Sequence, residues 1–455
     1  MRRAAPKHVA VIDIGKTNAK LALVEAGTLR EVAVVTRPNT VRPGPPWPHF
    51  DLEGHWAFFL QHLRAFHSAY GVDAISVTTH GASVVLLDAA GELAVPMLDY
   101  EHPGPDDLAA DYDAIRPPFA ETGSARLPRG LNVGAQLFWQ LQTDPALRDR
   151  LAHVLTYPGY WGWRLTGQMA CDGTSLGCHT DLWEPAAGRF SSLVARLGLT
   201  DRMAPPRRPG EVLGRLRPEV AAQTGLAADT PVSVGIHDSN ASLLPHVLGR
   251  SAPFSVVSTG TWVVAMAMGA DPVALDPARD VLVNVNALGQ PVPSARFMGG
   301  REFEVIARGD TATPTTEDRA AVLARGVALL PAVEPGSGPF PGRSHRWTVP
   351  PGGAGPRMLA LSWYLAMMTD TCLRLIGARG PVIVEGPFAR NADYLQMLRS
   401  LRSEGVETAS SATGTSTGAA LLSLGAGAPP LTRAVALPAD SGDLASYAAL
   451  WRSQL

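Results

Sequence analysis

The chain has 455 residues, of which 46% are hydrophobic and 18% charged, and its formal net charge is −2. That length exceeds what one hydrophobic core usually organises, so two domains are expected. Near-neutral charge argues against nucleic acid or an anionic membrane surface as partner, and no run of about twenty apolar residues offers a membrane span.

In chain order, Arg2, Arg3 and Lys7 precede an apolar run at residues 9–12 that stops at Asp13, too short for a signal-peptide core. Residues 9–35 read as a hairpin followed by a third strand, with a polar turn at Gly15-Lys16-Thr17-Asn18. Gly15 lets backbone approach a ligand, Thr17 and Asn18 carry donors, and Asp13 could hold a hydrated magnesium ion. Read alone, the same residues make a plain turn. Five prolines between 38 and 48 mark a surface loop, and apolar spacing predicts a helix over 56–70.

Strands at 74–77 and 84–87 flank a polar loop with His80 and Gly81. It could line a small-molecule pocket or simply be a loop capped by its own hydroxyls. Asp99, Tyr100 and Glu101 sit in a short segment whose acceptors suit a polyol, or else form a solvated loop. A helix is expected over 136–151. The segment 172–183, with His179 and Asp181, is a second candidate for the substrate side. Its Cys171, Cys178 and His179 match no common zinc spacing, and three cysteines in all fit a reduced cytoplasm.

Residues 232–242 are the centre of the chain's chemistry. An apolar run breaks at Gly235, presents His237 and Asp238, and enters a helix through Ser239 and Asn240. Asp238 reads either as a helix N-cap or as a general base facing a substrate, and Pro245 limits how far the helix runs undisturbed. Downstream, Ser258-Thr259-Gly260-Thr261 repeats the strand–polar turn–strand unit of Asp13 to Thr17 about 245 residues on. Two such loops, each with backbone and hydroxyl donors, suggest two related domains with anion-binding nests. That repeat favours Asp238 as a base. Residues 306–355 read as a long irregular connection. A helix is expected over 357–376, then a strand, a turn at Gly386-Pro387 and a helix entry at Asn391. Residues 413–424 look like a tightly packed small-residue helix, and the last helix, near 444–455, either returns to the first domain or lies on the surface.

Asp13-x-Gly15-x-Thr17-Asn18, Asp238 behind its Gly-x-His strand, and Ser258-Thr259-Gly260-Thr261 together resemble the FGGY family of carbohydrate kinases, from about residue 8 to about 425. The resemblance implies an α/β chain of two ribonuclease-H-like (actin/hexokinase-like) domains, 1–241 for the sugar and 242–455 for the nucleotide, with a cleft between them that closes on sugar. It implies ATP and Mg2+, Asp238 as catalytic base, and Asp13 as the residue holding Mg2+ through water. Residues Gly15, Lys16, Thr17, Asn18, Ser258, Thr259, Gly260 and Thr261 become phosphate motifs, and Gly386 with Pro387 and Asn391 the adenosine side. The sugar falls to His80, Gly81, Asp99, Tyr100, Glu101, His179, Asp181, His237 and Asn240. A homodimer is an open expectation.

The chain departs from the family's pattern in two places. One glycine stands in Glu385-Gly386-Pro387-Phe388 where a run of glycines is common, and Leu98-Asp99-Tyr100-Glu101 replaces a Trp-Asn/Asp-x-Arg segment. The loop from Thr78 to Ser83 is nearer to that of L-fuculose and L-rhamnulose kinases than to that of xylulose kinases. A 6-deoxy-ketohexose is therefore the expected acceptor, with xylulose, ribulose or a polyol such as erythritol open. A degenerate sugar sensor and an actin-like ATPase are the competing classes.

Overall fold

The β-branched run near the start forms strand β1 (His8–Ile14), whose last six residues are buried, as a strand covered on both faces should be. The computed structural model describes residues 5–409, 414–425 and 432–455; Arg2, Arg3 and Thr413 lie outside them. Strand β2 (Asn18–Glu25) returns antiparallel to β1, and β3 (Arg30–Pro38) follows as a half-exposed edge. Helix α1 (Leu52–Tyr70) starts where Asp51 accepts a hydrogen bond from the Gly54 amide at 3.0 Å, and it buries Leu52, Phe59, Leu63 and Phe66 along one stripe. Strand β4 (Ala74–Thr79) lies parallel to β1. Helices α2 (Val133–Thr143) and α3 (Tyr157–Thr166) follow, then strands β5 (Val212–Arg215), β6 (Pro231–Ser233) and β7 (Ile236–His237), and helix α4 (Asp238–Gly249). The first sheet runs β5-β6-β4-β1-β2-β3, with β7 also paired to β4. Trp161 anchors the core on one face, edge-on to Phe59 and Tyr160. A buried aromatic of this kind is worth about 3–5 kcal/mol relative to alanine.

The second unit repeats this plan. Strands β8 (Phe254–Thr259) and β9 (Val263–Met268) form its hairpin, and β10 (Pro291–Phe297) pairs antiparallel with β9. Strand β11 (Val382–Glu385) runs parallel to β8 and β12 (Val406–Ala409) parallel to β11, with β13 (Thr432–Ala434) antiparallel beyond it. Six of the seven strands of the second sheet, in the order β10-β9-β8-β11-β12-β13, match β3-β2-β1-β4-β6-β5 in order and direction. The weak repeat in the sequence is thus a repeated domain. Helices α5 (Gly299–Ala307), α6 (Thr316–Arg325), α7 (Ala354–Leu375) and α8 (Ala392–Leu401) complete the unit, α7 carrying the fully buried Trp363 and Tyr364.

Several expectations change. The stretch 306–355 is not irregular throughout: α6 sits inside it, opened by a reciprocal capping box between Thr315 and Asp318. The helix expected over 136–151 ends at Thr143, and a separate turn, Leu147–Arg150, follows. Pro245 does not cut α4 short, which runs on to Gly249. The boundary expected at 241/242 falls within α4; the first unit extends to Arg250. It also takes in Val283–Pro291 and α9 (Thr415–Leu424), so the segment that returns to the first unit is α9, not the last helix. That last helix, α10 (Ser441–Ser453), belongs to the second unit. There Tyr447 donates to the Val327 carbonyl and Trp451 to the Leu329 carbonyl, each at 2.7 Å.

Candidate active site

Gly235 makes the turn that delivers Asp238. Its φ of +103° is open to glycine, and a Cβ there would meet the Pro158 ring at 2.7 Å. Two residues of β7 then pair with Thr78 and Thr79 of β4 before α4 begins. His237 occupies the N-cap position, and no side chain caps the helix. Asp238 therefore does not perform the capping role that its sequence context allowed. Its Oδ1 accepts from the Ser239 amide at 2.6 Å and Ser239 Oγ at 3.3 Å, and it meets His237 Nε2 at 3.1 Å. All three contacts fall on one oxygen, and the side chain is 29% exposed. A carboxylate with one oxygen held and the other clear has the form of a general base.

His80 stands beside it. The ring is packed among Phe50, Tyr100 and Tyr157 at centroid distances of 5.2, 5.4 and 5.2 Å. Burial lowers its pKa, so the ring is neutral. Nδ1 lies 2.9 Å from the Gly81 carbonyl, which places the proton on Nδ1. Nε2 is then an acceptor, and it is buried without a partner. The Tyr157 hydroxyl is buried nearby, next to the Trp161 indole. An acceptor left open at this depth is costly unless a water or a ligand meets it. Gly81 leaves room for the His237 ring, whose Nε2 would lie 2.7 Å from a Cβ there. Left-handed backbone at the non-glycine residues Ala82, His179 and Asp181 adds local strain.

The first loop, 13–18, is closed by the Gly15 amide on the Asn18 carbonyl at 2.9 Å and braced from outside by Asn39, which bonds Gly15 and Thr17 and is held by His55. Thr17 and Asn18 are exposed on the turn. Asp13 is nearly buried. Its Oδ2 accepts from Thr415 Oγ1 at 2.6 Å and Ser416 Oγ at 2.8 Å, and Lys20 Nζ lies 3.1 Å away. Lys20 also pairs with Glu31; burial alone would lower its pKa, but Asp13 and Glu31 raise it. Among the described residues no group of three or more His, Cys, Asp or Glu side chains could cage a metal. This oxygen-rich corner fits a hydrated Mg2+ held through water and substrate phosphates, and not an all-protein cage.

Lys16 turns away from the exposed tip of the loop. Its ammonium pairs with Asp99 and with Glu101 (3.3 Å), and lies over the rings of Tyr100 at 4.5 Å and Phe50 at 5.1 Å. The acids expected to receive hydroxyls thus also neutralise a lysine expected to meet phosphate. Asp181 is fully buried and committed: Arg116 Nη2 donates to it at 2.8 Å and Tyr112 Oη at 2.7 Å. His179 Nδ1 lies 2.7 Å from the Leu131 carbonyl. Asn240 is buried on α4.

In the second unit the Gly260 amide closes its own turn on the Trp262 carbonyl at 2.9 Å, leaving Gly260 and Thr261 exposed and Ser258 partly so. The Thr259 hydroxyl is used internally. It donates to the Glu385 carbonyl and accepts from the Phe388 amide at 3.1 Å. Gly386, at φ +82°, rests against the Thr259 backbone, where a Cβ would collide with the carbonyl oxygen. This contact alone requires glycine, and it ties the loop to the Pro387 turn. Asn391 caps α8 by accepting from the Tyr394 amide at 3.0 Å and also donates to Ser362.

Sequence reasoning missed Thr415 and Ser416 on Asp13, and Thr174 on the His237 amide. Thr174 belongs to the segment 172–183, the second candidate for the substrate side. There Asp172 caps the turn Gly173–Leu176, and Thr174 accepts from the His237 amide at 2.9 Å. The Gly414-Thr415-Ser416 hydroxyls were the signal for the first pair.

Comparison with known proteins decides the family. A model of the N-terminal domain of the FGGY family of carbohydrate kinases matches residues 8–245, and one of the carbohydrate kinase FGGY C-terminal domain matches 251–431. The chain belongs to the FGGY family of carbohydrate kinases. Its two repeated sheets are the actin/hexokinase-like, ribonuclease-H-like domains of that family. It is similar to the crystal structure of a carbohydrate kinase from Novosphingobium aromaticivorans, with 39% identity, a TM-score of 0.90, and coverage of 98% of this chain and 99% of that one. Among curated relatives of this FGGY chain are the L-fuculokinase of Salmonella typhi, 27% identical over 270 residues, and the rhamnulokinase of Pectobacterium atrosepticum, 25% identical over 278. Each match covers 57% of this chain, and they cover 56% and 52% of those proteins, so the chain spans about half the length of the curated relatives it matches. No helix among the described residues is long and apolar enough to cross a membrane.

Proposed function

We propose that this FGGY chain is an ATP-dependent kinase that phosphorylates a hydroxyl of a ketose, with Asp238 as the general base. The observation that carries the reading is the Asp238 carboxylate at the first turn of α4, with its contacts confined to Oδ1 and a neutral, unpartnered acceptor at His80 Nε2 beside it. In the reaction Asp238 takes the proton of the attacking hydroxyl as the γ-phosphoryl group transfers. His80 Nε2 accepts from a second hydroxyl and orients the sugar. The turns at 13–18 and 258–261 offer backbone and hydroxyl donors to the phosphates. Mg2+, when bound through water at Asp13, supplies charge neutralisation to the transferring phosphate.

The acceptor we favour is a 6-deoxy-ketohexose of the L-fuculose or L-rhamnulose kind. Phe50, Tyr100 and Tyr157 ring the His80 pole with apolar faces suited to a methyl-bearing sugar, and the named relatives are an L-fuculokinase and a rhamnulokinase. In this reading Asp99, Tyr100 and Glu101, the two acids being balanced by Lys16, supply further acceptors to the sugar. The cytoplasm is the compartment this reading implies, and light scattering will read whether the chain is a homodimer.

A screen of deoxyketoses, ketopentoses and tetritols by coupled ADP release, with thermal shift in parallel, tests the substrate. Asp238→Asn tests the base. Sugar-induced thermal stabilisation should persist, while turnover falls by about 10²–10⁴-fold. Near-normal turnover in that variant sinks the assignment, and stabilisation by sugars without turnover of any in the wild type replaces the kinase with a sugar-binding sensor.

A further inference from the structure

The proline-rich stretch after β3 opens on a residue that the kinase reading does not use. Asn39 follows Pro38 and is 5% exposed. Its backbone N–H donates to the Thr17 carbonyl and its Nδ2 to the Gly15 carbonyl, both at 2.9 Å. One residue thus takes two carbonyls of the 13–18 turn. In a planar trans peptide the N–H points opposite the C=O. The Gly15–Lys16 and Thr17–Asn18 peptides are both trans. Drawing their carbonyls to Asn39 therefore turns the Lys16 and Asn18 N–H groups away from it.

Asn39 is itself held by His55 of α1, which is fully buried. His55 Nε2 lies 2.8 Å from Asn39 Oδ1. Asn39 Nδ2 is spent on Gly15, so Oδ1 is the acceptor in this contact and His55 Nε2 carries the proton. Nδ1 is then a bare nitrogen, buried with no hydrogen-bond partner. Burial first and the Arg37 charge second hold the ring's pKa down at about 4, which agrees with a ring of one proton. Phe59 and Trp161 pack around it at centroid distances of 6.2 and 6.5 Å. A carboxamide turned the other way round would set its oxygen against the Gly15 carbonyl and its NH2 against the His55 N–H. The proton on His55 Nε2 excludes that arrangement.

We propose that Asn39 and His55 are positioning residues for phosphoryl transfer: His55 fixes the orientation of the Asn39 carboxamide, and Asn39 fixes the 13–18 turn with its Lys16 and Asn18 amides directed at the ATP phosphates. Both act through the backbone of the turn. A turn set in advance need not be ordered when the phosphates arrive.

This inference rests on 13–18 being a phosphate turn, and its test separates the two. MgATP binding to the full chain is measured by calorimetry for the wild type, Asn39→Leu, His55→Phe, His55→Gln and Thr17→Asp. His55→Phe keeps an aromatic ring against Phe59 and Trp161 but loses the donor; His55→Gln loses the ring and keeps an N–H. Asn39→Leu and His55→Phe should each weaken MgATP about tenfold, and His55→Gln should stay within about threefold of the wild type. Where a sugar is turned over, KM for ATP should rise by the same factor while KM for the sugar holds. A packing role alone predicts the opposite order, with phenylalanine tolerated and glutamine not, and that order overturns the proposal. So does an Asn39→Leu chain that binds MgATP as the wild type does. Thr17→Asp, which puts a like charge on the exposed turn, then tells which reading has failed: weakened binding there spares the phosphate turn, and unchanged binding removes the turn as well. A wild type that binds no MgATP removes both. Asn39→Asp, of the same shape but with an oxygen facing Gly15, replaces Asn39→Leu if that chain does not fold. The imidazole nitrogen spectrum of the wild type, with His55 assigned by its loss in His55→Gln, should show the proton on Nε2 at neutral pH. A proton on Nδ1 overturns the proposal whatever the affinities.

Discussion

Whether Asp181 serves the substrate or the fold can be decided by replacing its partner. The carboxylate is 0% exposed, and Arg116 and Tyr112 hold it on both oxygens. Burial raises its pKa and the two partners only partly offset that, so the charge is tolerated because Arg116 is there. Arg116→Met removes the counter-ion and leaves a buried, uncompensated carboxylate, which costs about 3–5 kcal/mol. At about 2–4 °C per kcal/mol for a unit of this size, the melting temperature should fall by about 6–20 °C. Adding Asp181→Leu to Arg116→Met should recover much of that loss, since the charge has gone with its partner. Urea and thermal melts of the two variants and of Asp181→Asn give the comparison, with KM for the best acceptor measured on each. An Arg116→Met loss under about 1 kcal/mol, or an Asp181→Asn variant with wild-type stability and a raised KM, would refute the structural role and return Asp181 to the sugar.

Two further predictions concern stability. Glu302 is fully buried beside Tyr364, and burial raises its pKa from an ordinary 4.5 to about 7. A raised carboxylate favours folding while protonated, so the Glu302 contribution to stability should be full below about pH 4.5, decline as pH rises toward 7 and level off above, a change of about 3 kcal/mol; Glu302→Gln should remove that component of the slope in urea melts, and an unchanged slope would clear Glu302 of the effect. Gly418 on α9 faces the Ala241 carbonyl of α4, where an added Cβ would collide. Gly418→Ala should therefore cost about 1–3 kcal/mol and lower kcat through α4, although the same change in an open helix gains about 1 kcal/mol; a measured gain would contradict the close packing.

Much of the fold could be read locally. The β-branched runs at 9–14 and 254–257 become buried central strands, and the recurrence of strand, polar turn and strand marks the duplicated sheet. Asp238 was legible as a carboxylate at a strand–helix junction, but its release from capping depends on His237 taking the cap position, which is a matter of backbone angles. The acidic partners of Lys16 lie about 85 residues away and the hydroxyl partners of Asp13 about 400 away, and no periodicity reports a contact across such distances. Helix α6 was missed for a different reason. Its Thr315-x-x-Asp318 box was present, but the glycines and prolines after residue 330 coloured the whole stretch as loop.

Helix α9 also has a bearing on how the chain comes off the ribosome. The first unit begins at the amino terminus, yet the hydroxyls that satisfy Asp13 and the glycine that seats α4 arrive only with residues 415–418. Until then the nascent first unit carries a nearly buried aspartate without two of its donors, and a helix without the neighbour that covers it. Its final consolidation must wait while most of the second unit is synthesised. A fragment cut at Arg250 accordingly lacks the two hydroxyls on Asp13 and the glycine that seats α4.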